Sequence, residues 1–331
     1  MHHNSIKQKS IPSETLEFFD ISIDHTPHKI SGGMFNKTYF AQDVKGKKWI
    51  IQSINHAIEP KVVENADIIL SDLREKGWLC PQYKRGKNDY LYYKKDDVTW
   101  RVMNYVENTP FDNSKIALDF YHEMGELLAR FHKDLSTTNY LPEHKIEGYH
   151  EQEYYLKKSD NIDWDAQGSE VAKIAQQASD FIKDHGSIFK ERIQLIHSDA
   201  RVENTFMDSD MKPFLFIDYD TFMNGSIYID VGDCVRSLIL VSPDQSAKEI
   251  TKAFVKGYNA QSTEEISYDD AVISMKLLTV ELTLRFLIDV VEDYYFDWDD
   301  TQFDSRKEHN AQRATDQWAA YKKTKEDLGE K

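Results

Sequence analysis

The strongest constraint on this chain is an island of β signal set among helical patterns. Gln194-Leu195-Ile196-His197 and Thr205-Phe206-Met207-Asp208 read as short strands. After a turn over 209–213, Phe214-Leu215-Phe216-Ile217-Asp218 reads as a third. Ahead of the island, Ser114 can cap a helix whose apolar face includes Ala117, Phe120, Tyr121, Met124, Leu127, Leu128 and Phe131. Similar patterns occupy 168–185, 246–260 and 268–295. The second half is therefore expected to be a mostly helical lobe carrying one rigid β insert.

Residues 16 to 93 have a different texture. Ser31-Gly32-Gly33, Lys37-Thr38-Tyr39-Phe40-Ala41, a Lys45-Gly46-Lys47 turn and Trp49-Ile50-Ile51-Gln52 alternate in the manner of a twisted antiparallel sheet. One helix interrupts it, with Val62, Val63, Ala66, Ile69, Leu70 and Leu73 at helical spacing and Gly77 as its stop. Two strands are expected around 89–95 and 98–103. The fold class is thus α+β in two lobes, 14–103 small and β-rich, 104–331 larger and helical. The acidic stretch 292–300 carries Tyr294, Tyr295, Phe296 and Trp298, which suits a structured aromatic surface better than a linker.

At 331 residues, 40% hydrophobic and 12% aromatic, the chain can bury a large core. Its formal net charge of −16 opposes attraction to nucleic acid or anionic lipid, so any phosphate site must be local. Cys80 and Cys234 form neither a CxxC pair nor a metal-ligand cluster with histidines, and read as reduced, buried thiols. Residues 1–12 lack the apolar core of a signal peptide, and no run approaches the roughly 18 apolar residues of a membrane span. A cytoplasmic location is expected, and His2 and His3 read as a frayed terminus.

The chemistry concentrates in Ile196-His197-Ser198-Asp199-Ala200-Arg201-Val202-Glu203-Asn204, which has the H-x-D-x-x-x-x-N spacing of a kinase catalytic loop. A carboxylate within hydrogen-bond reach of an acceptor hydroxyl can orient it and take its proton, the role that fits Asp199. An amide oxygen is a hard, neutral ligand suited to magnesium, which fits Asn204. Asp218, at the end of an apolar strand, is placed to hold the same ion against ATP phosphates. His197 is expected to brace the loop. Arg201 fits either phosphate neutralisation or a structural ion pair. The competing reading of each carboxylate alone is a solvated acidic turn.

These residues resemble the aminoglycoside phosphotransferase and choline kinase superfamily, whose pattern is H-G-D-x-x-x-x-N followed by an I-D-x-[DE] strand end. Ser198 stands at its glycine, a tolerable change wherever positive φ is not required. Gly225, Tyr228, Asp230, Val231, Gly232 and Asp233 resemble its following segment, with Asp230 expected to anchor the loop or cap a helix. Leu128-Ala129-Arg130-Phe131-His132 is similar to its L-A-x-L-H helix end, with a structural role for His132. Asn36-Lys37-Thr38-Tyr39, Ile51-Gln52-Ser53-Ile54-Asn55-His56, Trp100 to Thr109 and Ile217-Asp218-Tyr219-Asp220-Thr221 look closest to N-acetylhexosamine 1-kinases. The resemblance, from about residue 18 to residue 320, implies a bilobal protein-kinase-like fold. It also implies transfer of the γ-phosphate of ATP, with Mg2+, to the anomeric hydroxyl of a sugar.

On the nucleotide side, Gly32 and Gly33 lead into Lys37 and Thr38 as a glycine hairpin would, although an ordinary hairpin has the same pattern. The position that carries lysine in V-A-I-K is Gln52, so Lys37 is the candidate for the missing charge, and Glu64 reads as a solvated helix residue. Met103, Asn104, Tyr105 and Val106 fall where the lobes should join and can offer backbone groups to adenine; a plain strand is the alternative. Acceptor candidates are Asp199, Tyr219, Asp220, Arg236, Arg285, Arg313 and Trp318. A cationic acceptor of aminoglycoside or choline type, a nucleotide-binding pseudokinase and a magnesium-dependent hydrolase are the competing functions.

Overall fold

Alternation of apolar and polar residues builds the first sheet. In the computed structural model, which describes residues 11–30, 36–55, 58–116 and 118–330, the chain forms two compact units, Met1–Glu107 and Asn108–Lys331. The Gly32 and Gly33 expectation lies outside the described residues, as do His2, His3, His56 and Ala117.

The N-terminal unit holds β1 (His28–Ile30), β2 (Lys37–Gln42), β3 (Lys48–Ile54), β4 (Tyr92–Lys95) and β5 (Val98–Asn104) in the order β1-β2-β3-β5-β4, every neighbouring pair antiparallel. One face buries Tyr39, Ala41, Trp49, Ile51, Trp100 and Val102 against Phe19 and Ile21, each large side chain contributing roughly 1.5–3 kcal/mol by leaving water. Phe19 and Ile21 follow α1 (Ser13–Phe18), a helix in a stretch expected to be β-rich. Its single turn forms because the neighbouring core takes Phe19, fully buried, where propensity alone would not sustain six residues. Helix α2 (Val62–Glu75) buries the expected apolar stripe and stops before Gly77, whose φ of +91° a side chain would strain.

The C-terminal unit comprises α3 (Leu118–Ser136), α4 (Gln152–Asp160), α5 (Ser169–His185), β6 (Ile193–Ile196), β7 (Thr205–Met207), β8 (Pro213–Phe216), β9 (Met223–Ser226), α6 (Ile227–Val241), α7 (Ala247–Gln261), α8 (Tyr268–Glu292) and α9 (Arg306–Asp327). Ser114 does not cap α3. Asp112 Oδ1 accepts from its backbone N–H at 3.1 Å and its hydroxyl at 2.6 Å, closing a separate turn ahead of the helix. Helices α3 and α7 cross at glycines: a Cβ on Gly125 would collide with the Phe254 carbonyl oxygen, and one on Gly257 with that of His122.

The helical pattern read over 268–295 stops at Glu292, because the Asp289 carboxylate accepts the backbone N–H groups of Tyr294, Tyr295 and Phe296 at 3.0, 2.7 and 2.9 Å. Asn310 Nδ2 donates to the same carboxylate at 2.7 Å, so the acidic stretch is fixed structure. Both cysteines are buried. Among the described residues no helix is long and apolar enough to cross a membrane.

Candidate active site

The loop after β6 is held from behind by one carboxylate. Asp230, fully buried in the first turn of α6, accepts the backbone N–H groups of His197 at 2.9 Å and Ser198 at 2.6 Å, and the His132 Nε2–H at 2.9 Å. His132 Nδ1 lies 2.8 Å from the Tyr258 hydroxyl, which ties the loop to the α3–α7 crossing. Ser198 does adopt positive φ, +63°, so the condition for tolerating serine there is not met. The strain, of order 1–3 kcal/mol, is opposed by its bonds. Its hydroxyl donates to the Thr221 carbonyl, and its own carbonyl accepts from His150 Nε2 at 3.0 Å. His197 is packed among Phe131, Phe216, Tyr219 and Phe222. Burial pushes its imidazole below the usual range, and its Nδ1 accepts from the Asp199 N–H at 3.3 Å, a bracing role.

Asp199 emerges from this frame with a side chain 18% exposed. Burial raises its carboxyl above the usual range, and the Asp233 charge adds to that, while Arg201, His197 and Asn204 oppose it. Arg201 Nε lies 3.0 Å from Asp199 Oδ1, close enough for an ion pair but unaligned for a hydrogen bond. Asn204 Nδ2 donates to Asp199 Oδ2 at 2.5 Å and to its carbonyl at 3.0 Å, which fixes the amide and leaves its Oδ1 with no partner among the described residues.

Hairpin pairing brings Asp218 to Asn204. Thr205 faces Phe216 across β7 and β8, and Ile217 N–H donates to the Asn204 carbonyl at 2.8 Å, so both side chains stand at the open end of the hairpin. Asp218 is itself left-handed, with φ 70° and ψ 69°, an uncommon conformation that reorients the chain directly after the apolar strand.

Arginines match the surrounding carboxylates. Arg236 pairs with Asp233 through Nη2 at 2.5 Å and Nε at 3.0 Å. Burial alone would raise the Asp233 carboxyl, but Arg236 and Arg201 outweigh it and hold it below the usual range. His150 Nδ1 lies 2.9 Å from Glu281 Oε1, and Arg285 Nη1 lies 3.7 Å from the same oxygen. The Arg285 guanidinium is boxed by the rings of Tyr149, Tyr155, Tyr295 and Phe296 at 5.2, 5.1, 5.6 and 5.6 Å. Burial lifts the Tyr149 phenol well above the usual range, and the Asp199 charge adds to that.

The other acceptor candidates are buried or engaged within the C-terminal unit. Tyr219 is buried, stacks on Phe222 at 5.4 Å and donates its hydroxyl to the Phe216 carbonyl. Asp220 is buried. Arg313 donates to the Asp297 carbonyl at 2.7 Å and to Asn310 Oδ1 at 3.0 Å, bracing the 292–300 stretch, and Trp318 packs on Tyr321.

In the N-terminal unit, Gln52 Nε2 donates to Thr38 Oγ1 at 3.0 Å, and Arg101 Nε donates to Gln52 Oε1 at 2.9 Å. Lys37 is exposed and, by strand alternation, sits on the opposite face from Thr38. Glu64 is exposed. Met103, Asn104, Tyr105 and Val106 are half-buried. Asn104 N–H donates to the Gln82 carbonyl at 3.1 Å and Tyr105 N–H to that of Lys48 at 3.1 Å, so these two amides are engaged within the unit.

Sequence reading missed Arg101, Tyr149, His150 and Glu281. The first stands directly opposite Gln52 in the register, a signal available once the strands are paired; the others converge from remote loops and helices with no local pattern.

A model of the phosphotransferase enzyme family matches residues 27–265. Among solved structures, the chain is similar to an amicoumacin kinase in complex with AMP-PNP and Ca2+, at 14% identity over 94% of this chain and 92% of that one, TM-score 0.69. It is similar to a microcompartment-associated aminopropanol kinase, at 16% identity over 93% of each chain, TM-score 0.65. A third is an ethanolamine kinase of Plasmodium vivax, at 14% identity over 88% of this chain and 81% of that one, TM-score 0.60.

Proposed function

The chain belongs to the phosphotransferase enzyme family, and from that footing we propose that it is an ATP- and magnesium-dependent small-molecule kinase with Asp199 as its catalytic base. The observation that carries this reading is the arrangement of Asp199 and Asn204. One amide hydrogen-bonds the base while its own oxygen has no partner among the described residues, and the hairpin that follows Asn204 returns the chain to Asp218. Asn204 Oδ1 and the Asp218 carboxylate suit a hard cation that keeps its remaining positions for phosphate oxygens and water, so a larger carboxylate cluster is not required. When bound, magnesium would neutralise charge on the phosphates. Asp199 would orient the acceptor hydroxyl and take its proton at the carboxylate. Its raised proton affinity suits that work near neutral pH better than an ordinary aspartate would. Asp230, through the two loop amides, fixes where that carboxylate stands.

For the acceptor, the finer reading is a neutral polyhydroxylated molecule such as an N-acetylhexosamine, phosphorylated at its anomeric hydroxyl. It is supported by the pairing of Asp199, Asp233 and Glu281 with Arg201, Arg236 and Arg285, and by an aromatic box already filled by Arg285. A cationic acceptor would meet matched charges there. The second reading, an amine-bearing acceptor, draws on the similarity to the aminopropanol and ethanolamine kinases. An ATP-consumption screen over N-acetylhexosamines, hexoses, aminoglycosides, choline, ethanolamine and aminopropanol separates them. Turnover of the sugars alone is the expected result, turnover of the amines alone selects the second reading, and turnover of none with intact ATP binding points to a pseudokinase. Asp218→Ala is expected to abolish the magnesium-dependent gain in ATP affinity, read by calorimetric titration with and without Mg2+; an unchanged gain counts against Asp218 as a ligand.

A further inference from the structure

We infer that Arg101 supplies the phosphate-side positive charge that the lysine position lacks, acting through Gln52 and Thr38 as a one-way chain of hydrogen bonds. The inference rests on the kinase reading above. Cross-strand register aligns Thr38 with Gln52 and Gln52 with Arg101, one row across β2, β3 and β5. Residues paired in this way share a face of the sheet, here the one opposite Tyr39, Ile51 and Val102.

The direction of the chain follows from donor chemistry. A guanidinium can only donate, so the 2.9 Å contact from Arg101 Nε fixes the Gln52 atom it meets as the amide oxygen. The Gln52 nitrogen must then be the donor in the 3.0 Å contact to Thr38 Oγ1. Thr38, having accepted, retains its hydroxyl hydrogen, and Gln52 retains a second amide hydrogen. Neither hydrogen has an acceptor among the described residues.

Exposure runs in the same sense. Arg101 is 1% exposed, while Gln52 and Thr38 are half-buried, so the charge lies inside and the donors reach outward. Bonds in a chain that all point one way polarise one another, and donors so polarised favour an anion at the open end. Gln52 holds the place of the phosphate lysine, which makes the anion a phosphate group of ATP. Lys37, on the other face, is not in the row. Arg101 is thus a positioning residue, and Gln52 and Thr38 are the groups that touch phosphate.

The test is calorimetric titration of the full chain with Mg2+ plus ATP and, separately, with adenosine. Thr38→Val, a near-isosteric change, is expected to weaken ATP binding about 10-fold, the scale of one hydrogen bond to a charged group, and to leave adenosine binding unchanged. Gln52→Leu is expected to weaken ATP at least as much. Combining Arg101→Met with Thr38→Val is expected to cost less than the two separate losses together, because both break one chain. If Arg101→Met does not fold, the Thr38 and Gln52 variants decide alone. Unchanged ATP affinity in both of these overturns the inference, and so does an equal loss for ATP and adenosine, the mark of a merely structural role. Absence of ATP binding by the wild-type chain overturns the kinase reading, and this inference with it.

Discussion

The two units handle charge in opposite ways. In the N-terminal unit the cation is interior and its effect is passed outward through a neutral amide and a hydroxyl. In the C-terminal unit the side chain proposed to react, Asp199, is itself charged, and its environment disfavours that charge while Arg201 and Asn204 hold it in place. The difference teaches what each place needs: holding phosphate calls for fixed donors, whereas accepting a proton calls for a carboxylate whose ionised form is not too comfortable.

The sharpest way to break this comparison is Asp199→Asn, expected to lower phosphoryl transfer by about 10²–10⁴-fold, the usual scale for a general base. The readout is ATP consumption with acceptor, alongside a thermal melt. Because the wild-type carboxyl is raised, its charge opposes folding at neutral pH and that opposition disappears as pH falls through the raised value. The D199N variant is therefore expected to be no less stable than the wild type at pH 7, with the gap closing on acidification. The wild-type rate is expected to fall at a higher pH than an ordinary aspartate would give.

Next in size is Asp230→Ala, which leaves two loop amides and His132 unsatisfied in the interior. A loss of about 3–5 kcal/mol is expected, read from the denaturant midpoint. The N-terminal counterpart, Gln52→Leu, unseats one Arg101 donor and is expected to destabilise by about 1–3 kcal/mol. Equal losses in the two variants would erase the contrast between the units. Smallest is Ser198→Gly, where relief of positive φ competes with loss of the hydroxyl bond to Thr221; a change within about 1 kcal/mol of wild type is expected in the same assay.

What was legible in the sequence follows this division. Asp199, Asn204 and Asp218 could be named together as candidates because loop and hairpin geometry fixes their spacing along the chain. The expected sheet of the N-terminal unit and the helix at Val62–Glu75 were also plain, since alternation and helical spacing are strong there. Helix α9 gave little signal because Asn310 and Thr324 share its buried stripe with Ala314, Trp318 and Tyr321, which dilutes the apolar periodicity. Strand β9 is Met-Asn-Gly-Ser, with no β-branched residue to announce it. Glu281 and His150 meet at 2.9 Å across a separation of 131 residues, and only the fold relates them.

The hairpin that unites Asn204 with Asp218 has a second end. There the backbone turns between Met207 and Pro213, with the Asp208 carboxylate accepting the N–H groups of Asp210 at 2.8 Å and Lys212 at 3.0 Å, and with Asp208, Asp210 and Lys212 open to solvent or partly so. The Thr205–Phe216 pair lies at the far end of the ladder from this tip. The tip is accordingly a place to graft a peptide or a fluorophore, because extra length in a surface loop costs little once its ends are held together. Such a label would report on the hairpin while its other end keeps the geometry of Asn204 and Asp218.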